Sequence, residues 1–128
     1  MKVENEFIEF WIEKEILFSQ FKLKTDIDLE KSKPIIQLRH QISGDKSQYW
    51  CNDIKNIRSY SIEARNYAQI HGQDLLFASA VIVHSKITKL IFNVFLKLRT
   101  PKIPFKSFSN KEEAVVWLYL IKAENEQR

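Results

Sequence analysis

Leu75-Leu76-Phe77-Ala78-Ser79-Ala80-Val81-Ile82-Val83 is the stretch on which the fold turns. The run is too continuous for a strand with one wet face, where apolar and polar residues alternate. It suits a strand buried on both sides, as parallel sheets require. Helical periodicity flanks it. Ser61 to His71 reads as a helix with Ser61 as N-cap and Gly72 at its end, and a third helix follows over Lys86–Leu98. Further out, Tyr49-Trp50-Cys51-Asn52-Asp53-Ile54 and Pro104-Phe105-Lys106-Ser107-Phe108 are short strand-like segments. Asp28 or Ser32 can cap a helix that stops at Gly44. Pro34, with no N–H to donate, predicts that its regular part begins late. Asn110, with Glu113 three residues on, opens a last helix that turns Ala114, Val115, Trp117, Leu118 and Ile121 to the core. Glu6 to Thr25 alternates apolar and polar residues and is broken by Glu13-Lys14-Glu15, which predicts two antiparallel strands. The predicted order is β-β-α-β-α-β-α-β-α: an α/β fold with a mostly parallel sheet and an N-terminal antiparallel hairpin.

A chain of 128 residues, 45% hydrophobic and 12% aromatic, fits one domain over residues 1–128 with a sizeable core. The lone Cys51 permits no internal disulfide. Met1-Lys2-Val3-Glu4-Asn5-Glu6 lacks the apolar core of a signal peptide, and no apolar run approaches membrane-span length. A cytoplasmic location is therefore expected. Charge is unevenly spread. Seven of the 20 basic residues, and none of the 16 acidic ones, lie between Leu75 and Lys111.

The residues that could carry chemistry are scattered. His40, His71 and His84 are far apart in sequence, unlike the short fixed spacings of zinc sites. Cys51 in an apolar strand next to Trp50 reads as a small core hydrophobe rather than a nucleophile. Asp53 ends a central strand, where open sheets place ligands. Without a second acid beside it, it reads better as an anchor for the following loop. Two glycines in the whole chain cannot build a phosphate-cradling loop, and Ser43-Gly44-Asp45 reads as a turn. Phe92, Phe95, Phe105 and Phe108 interleave the basic segment but sit at core spacing, so nucleic acid is not expected as a partner. No catalytic, metal or cofactor site is predicted.

Several stretches resemble a group of small, largely uncharacterised bacterial proteins with a STAS-like (SpoIIAA-like) fold. They are Asn52-Asp53-Ile54 with Ser61-Ile62-Glu63-Ala64-Arg65; Ala80-Val81-Ile82-Val83-His84-Ser85; Ile91-Phe92-Asn93-Val94-Phe95-Leu96; and Pro104-Phe105-Lys106-Ser107-Phe108 with Glu112-Glu113-Ala114 and Trp117-Leu118. The resemblance covers nearly the whole chain and implies that fold. Better-known relatives are anti-sigma-factor antagonists, which bind a kinase and are switched at a serine in an Asp-x-Ser-Gly pattern. Ser59-Tyr60-Ser61-Ile62 occupies the matching place, with Ser61 at the switch serine, Ser59 in place of the Asp and Ile62 in place of the Gly. A more distant similarity is to lipid-carrying CRAL-TRIO domains.

The expected function is a non-enzymatic regulatory or protein-interaction domain. Ser61 and Ser59 are its candidate regulatory sites. A second candidate surface lies on the third helix, where Ile87, Ile91, Val94, Phe95 and Leu98 share a core face and Phe92 and Leu96 fall outside it. Packing on a neighbouring element would explain those two. An apolar patch ringed by Lys89, Lys97 and Arg99 would suit a protein partner, a homodimer or an anionic membrane surface. The alternative function is binding of a small apolar or anionic ligand at the carboxyl ends of the strands.

Overall fold

A computed structural model describes residues 1–86, 88–90, 93 and 101–127. Its main sheet has six strands: β1 (Lys2–Glu4), β2 (Ile8–Glu13), β3 (Ile16–Phe21), β5 (Gln48–Asp53), β7 (Leu76–Ile82) and β8 (Phe105–Phe108). They lie in the order β1-β2-β3-β5-β7-β8. Pairing is antiparallel among β1, β2 and β3, and parallel from β3 through β8. Two short strands, β4 (Thr25–Ile27) and β6 (Ile57–Tyr60), form a separate parallel pair. The helices are α1 (Leu29–Ser43), α2 (Ile62–His71) and α3 (Lys111–Glu126). Lys86, Thr88–Leu90 and Asn93, within the predicted third helix, are also helical.

The alternation of the strands sorts the core into two layers. On one face Ile16, Phe18, Tyr49, Cys51, Ala78, Ala80, Ile82 and Phe108 meet Ala114 and Leu118 of α3. On the other, Phe10, Leu17 and Phe21 pack with Ile27, Ile42 and Ala64 under α1 and α2. The β7 run lies between β5 and β8 with Ala78 to Ile82 all buried, as its apolar continuity predicts. Phe77 departs from that reading. It is 45% exposed and stacks on Tyr49, because the register of β5 and β7 shifts between Gln48 and Tyr49.

Three further details differ from the sequence reading, and a fourth, the type of the hairpin turn, was not legible in it. The N-terminal hairpin is present, but Val3 brings a third antiparallel strand to its edge. β4 and β6 are additional, since strands of three and four residues are too short to display an alternation. α1 begins at Leu29 rather than late. Asp28 caps it, accepting from Lys31 N at 2.9 Å, and Pro34 sits in its second turn. The missing N–H there deprives only the carbonyl of Glu30, on an exposed turn where water can replace it. The β2–β3 turn holds Lys14 (φ 50°) and Glu15 (φ 70°), two left-handed residues that match the twist of a two-residue hairpin without the usual Asn-Gly.

Candidate functional site

β4 and β6 act as a spacer at the carboxyl pole of the parallel strands. Their ladder pairs Asp26 with Ser59 and Ile27 with Tyr60, and Ser61 N donates to Ile27 O at 2.9 Å. The next residues of each strand start α1 and α2, so two helices begin side by side. Asp28 caps one. Ser61 caps the other, its hydroxyl accepting from Ala64 N at 3.1 Å. The first helical residue is apolar and exposed in both: Leu29 at 37% and Ile62 at 66%. Neither contributes to the helix's buried stripe, so folding alone does not account for their chemistry.

A charged cluster borders them. Asp26 accepts from Arg58 through both carboxylate oxygens and from Ser59 Oγ at 2.7 Å. The Arg58 guanidinium, helped by the Ser59 hydroxyl, holds the Asp26 carboxyl well below the usual carboxylate range. Arg65, in the first turn of α2, donates from Nε to Tyr60 O at 2.9 Å. Ser59 is exposed and Ser61 half-buried. Beneath α2, burial pushes the Tyr60 phenol up to about 12, so it stays neutral.

Asp53, at the end of β5, accepts from Lys55 N at 2.9 Å, a hydrogen bond within the loop that follows. It also meets His84 Nε2 at 2.8 Å across from the end of β7. This contact is legible in retrospect, because Asp53 ends β5 and His84 closely follows β7, its parallel neighbour. A polar chain runs behind the pair on the α1/α2 side of the sheet. Trp50 Nε1 donates to Ser19 Oγ at 2.9 Å, and that hydroxyl donates to Asn52 Oδ1 at 2.8 Å. Ser85 Oγ accepts from Thr88 N at 3.0 Å.

The structure thus places Ser59 and Ser61 together where α2 begins, and Asp53 at the end of β5 in the main sheet. Lys89 is part-buried in the helical segment, while Phe92, Leu96, Lys97 and Arg99 lie outside the described residues. Asp26 and Arg58 escaped sequence reading because the strands that pair them were invisible. Ile62 and Leu29 carried a signal, an apolar residue directly after a cap and off the periodic face. Among the described residues, no three His, Cys, Asp or Glu side chains come close enough to hold a metal ion. Cys51 is buried in the core, where burial pushes its thiol up to about 12. No described helix is long and apolar enough to cross a membrane.

A family model described as a domain of unknown function, DUF7793, matches residues 10–122. No curated protein matches the chain. Among solved structures, the chain is similar to an uncharacterized protein from the DUF3478 family with a SpoIIAA-like fold, from Shewanella loihica PV-4. Identity is 20%, with 92% of this chain and 98% of that chain covered and a TM-score of 0.61. The likeness shows the fold: mixed α/β, with a mostly parallel sheet and antiparallel N-terminal strands, of the SpoIIAA-like kind.

Proposed function

We propose that this chain, which belongs to the DUF7793 family, acts as a non-enzymatic interaction domain that binds a protein partner at the twin helix starts of its carboxyl pole. The observation that carries this reading is the exposure of Leu29 and Ile62 as the first residues of adjacent, capped helices, beside the Asp26–Arg58–Ser59 cluster. Exposed apolar residues next to oriented charges are what a specific contact uses: the first give binding energy and the second fix register. Regulation at Ser59 or Ser61 fits the same surface. A phosphate on Ser61 would sit at the N-terminus of α2, which favours negative charge. On Ser59 it would repel the Asp26 carboxylate that now accepts its hydroxyl.

The test is a pulldown from the native cell with the wild-type chain, Ile62→Glu and Leu29→Glu/Ile62→Glu, followed by affinity measurement with the purified captured protein. We expect specific capture by the wild type and at least about a tenfold loss in both variants. Equal affinity across the three would refute the contact surface. Ser59→Asp and Ser61→Asp then assay regulation: if neither moves the affinity, the switch is withdrawn and the interaction reading stands alone.

A specific feature favours ligand binding as the second reading, though at the opposite pole. A groove of about 710 Å³ is lined by Ile12, Ser43, Lys46, Tyr49, Phe77 and Lys122, among others. The buried Ser43 hydroxyl has no hydrogen-bond partner among the described residues. Native mass spectrometry of the purified chain distinguishes the two readings, since a co-purified small molecule would favour this one.

A further inference from the structure

α3 is apolar on two sides. Ala114, Leu118 and Ile121 face the sheet. Val116 and Leu120, four residues apart on the opposite side, are each 59% exposed. They flank an open, largely apolar groove of about 380 Å³ between α3 and β8, which Phe108 and Trp117 also line. Lys106 rims the groove on the strand side and Glu112 and Glu113 on the helix side. Among the described residues none of these three forms an ion pair, and Lys106 only lies over the Phe108 ring, 5.5 Å from its centroid.

We propose that this groove is the contact face of a homodimer, formed with a second copy of the chain about a two-fold axis. The mixed rim argues for that occupant. An acidic partner or an anionic membrane would face Glu112 and Glu113, and a basic partner would face Lys106. A second copy turned by a two-fold exchanges the strand side for the helix side. Each Lys106 then meets the other copy's Glu112 and Glu113, while Val116 and Leu120 cover each other's apolar surface. The contact is independent of the partner surface at the carboxyl pole.

The test is analytical ultracentrifugation of the full chain over a concentration series. The wild type is expected to show a monomer–dimer equilibrium. Val116→Glu/Leu120→Glu is expected to remain monomeric with an unchanged far-UV circular dichroism spectrum. Lys106→Glu alone, and Glu112→Lys/Glu113→Lys alone, each place like charges across the two-fold and should weaken the dimer about tenfold or more. Mixed in equal amounts, these two variants present opposite charges at both contacts, and the dimer should return. A wild type that stays monomeric to about 1 mM overturns the proposal. So does a dimer that survives Val116→Glu/Leu120→Glu, or a mixture that fails to recover association. Should the apolar variant lose its fold, the charge variants, which remove no apolar side chain, decide alone. A monomer that captures a synthetic cationic amphipathic peptide in the groove would assign the surface to another protein, and would likewise overturn the dimer.

Discussion

Arg39 is a fully buried charge. Its Nη1 donates to Asp74 O at 2.9 Å. Its Nη2 donates to Gly72 O at 3.2 Å and to Asp74 Oδ1 at 3.0 Å, and the guanidinium lies over the Trp50 ring. It therefore ties α1 to the loop between α2 and β7, where Leu75 holds a left-handed φ of 56°. Arg39→Met keeps the stem but leaves two loop carbonyls without their donor. We expect a loss of about 2–4 kcal/mol in urea denaturation. A loss under about 1 kcal/mol would show that water replaces the guanidinium. Asp26 gives a pH signature. Its folded-state pKa is depressed, so its contribution to stability is complete above the unfolded titration near pH 4. That contribution is lost as the pH falls through the lower folded value. Asp26→Asn should therefore show a smaller drop in denaturation midpoint between pH 7 and pH 3 than the wild type. Equal drops would mean that the Arg58 contact does not persist in solution. Neither residue stood out in the sequence, because a charged residue on an amphipathic helix or a short polar stretch reads as solvated surface.

Secondary-structure elements were the most legible scale. The caps at Ser61 and Asn110 fall where their sequence patterns put them, with Ser61 accepting from Ala64 N and Asn110 from Glu113 N. Ser61→Ala should cost about 1 kcal/mol in thermal or chemical unfolding. An unchanged stability would show that the hydroxyl does not cap α2 in solution. The residue after that helix is a glycine for a steric reason: a Cβ on Gly72 would stand 2.5 Å from the Ala68 carbonyl oxygen. The charged triplet Glu13-Lys14-Glu15 marks the break between the hairpin strands, but without Gly or Asn it gives neither the exact position nor the type of the turn. Lys14 and Glu15 adopt left-handed backbone that ordinary side chains resist, held by pairing on both sides and by Tyr119 Oη donating to Lys14 O at 2.6 Å. Lys14→Asn/Glu15→Gly supplies the residues that this geometry favours and should stabilise the chain by about 1 kcal/mol. A destabilised variant would show that the Glu15 contact with Lys122 outweighs the relief of strain.

At the scale of the whole molecule, two apolar layers close on a sheet whose parallel part is central. Ile82, near the end of β7 in the α3 layer, tests this arrangement. Ile82→Ala should cost about 2–5 kcal/mol, whereas Phe77→Ser, on the exposed start of the same strand, should cost distinctly less. Equal costs would contradict the register shift that brings Phe77 out. Local sequence alone makes α1, α2 and α3, the longer strands and the parallel character of the sheet legible. Each rests on a local pattern: a period near 3.6, a cap, or an apolar run too long for a one-sided strand. The tertiary structure alone decided what the poles present. The β4–β6 pair, the Asp26–Arg58 and Asp53–His84 contacts and the Arg39 clamp join residues some thirty positions apart, which no local pattern couples, and β4 and β6 are too short to announce themselves. It also decided that Val116 and Leu120 stay outside, because a helix has one face for the sheet and its sequence spells apolar residues on two.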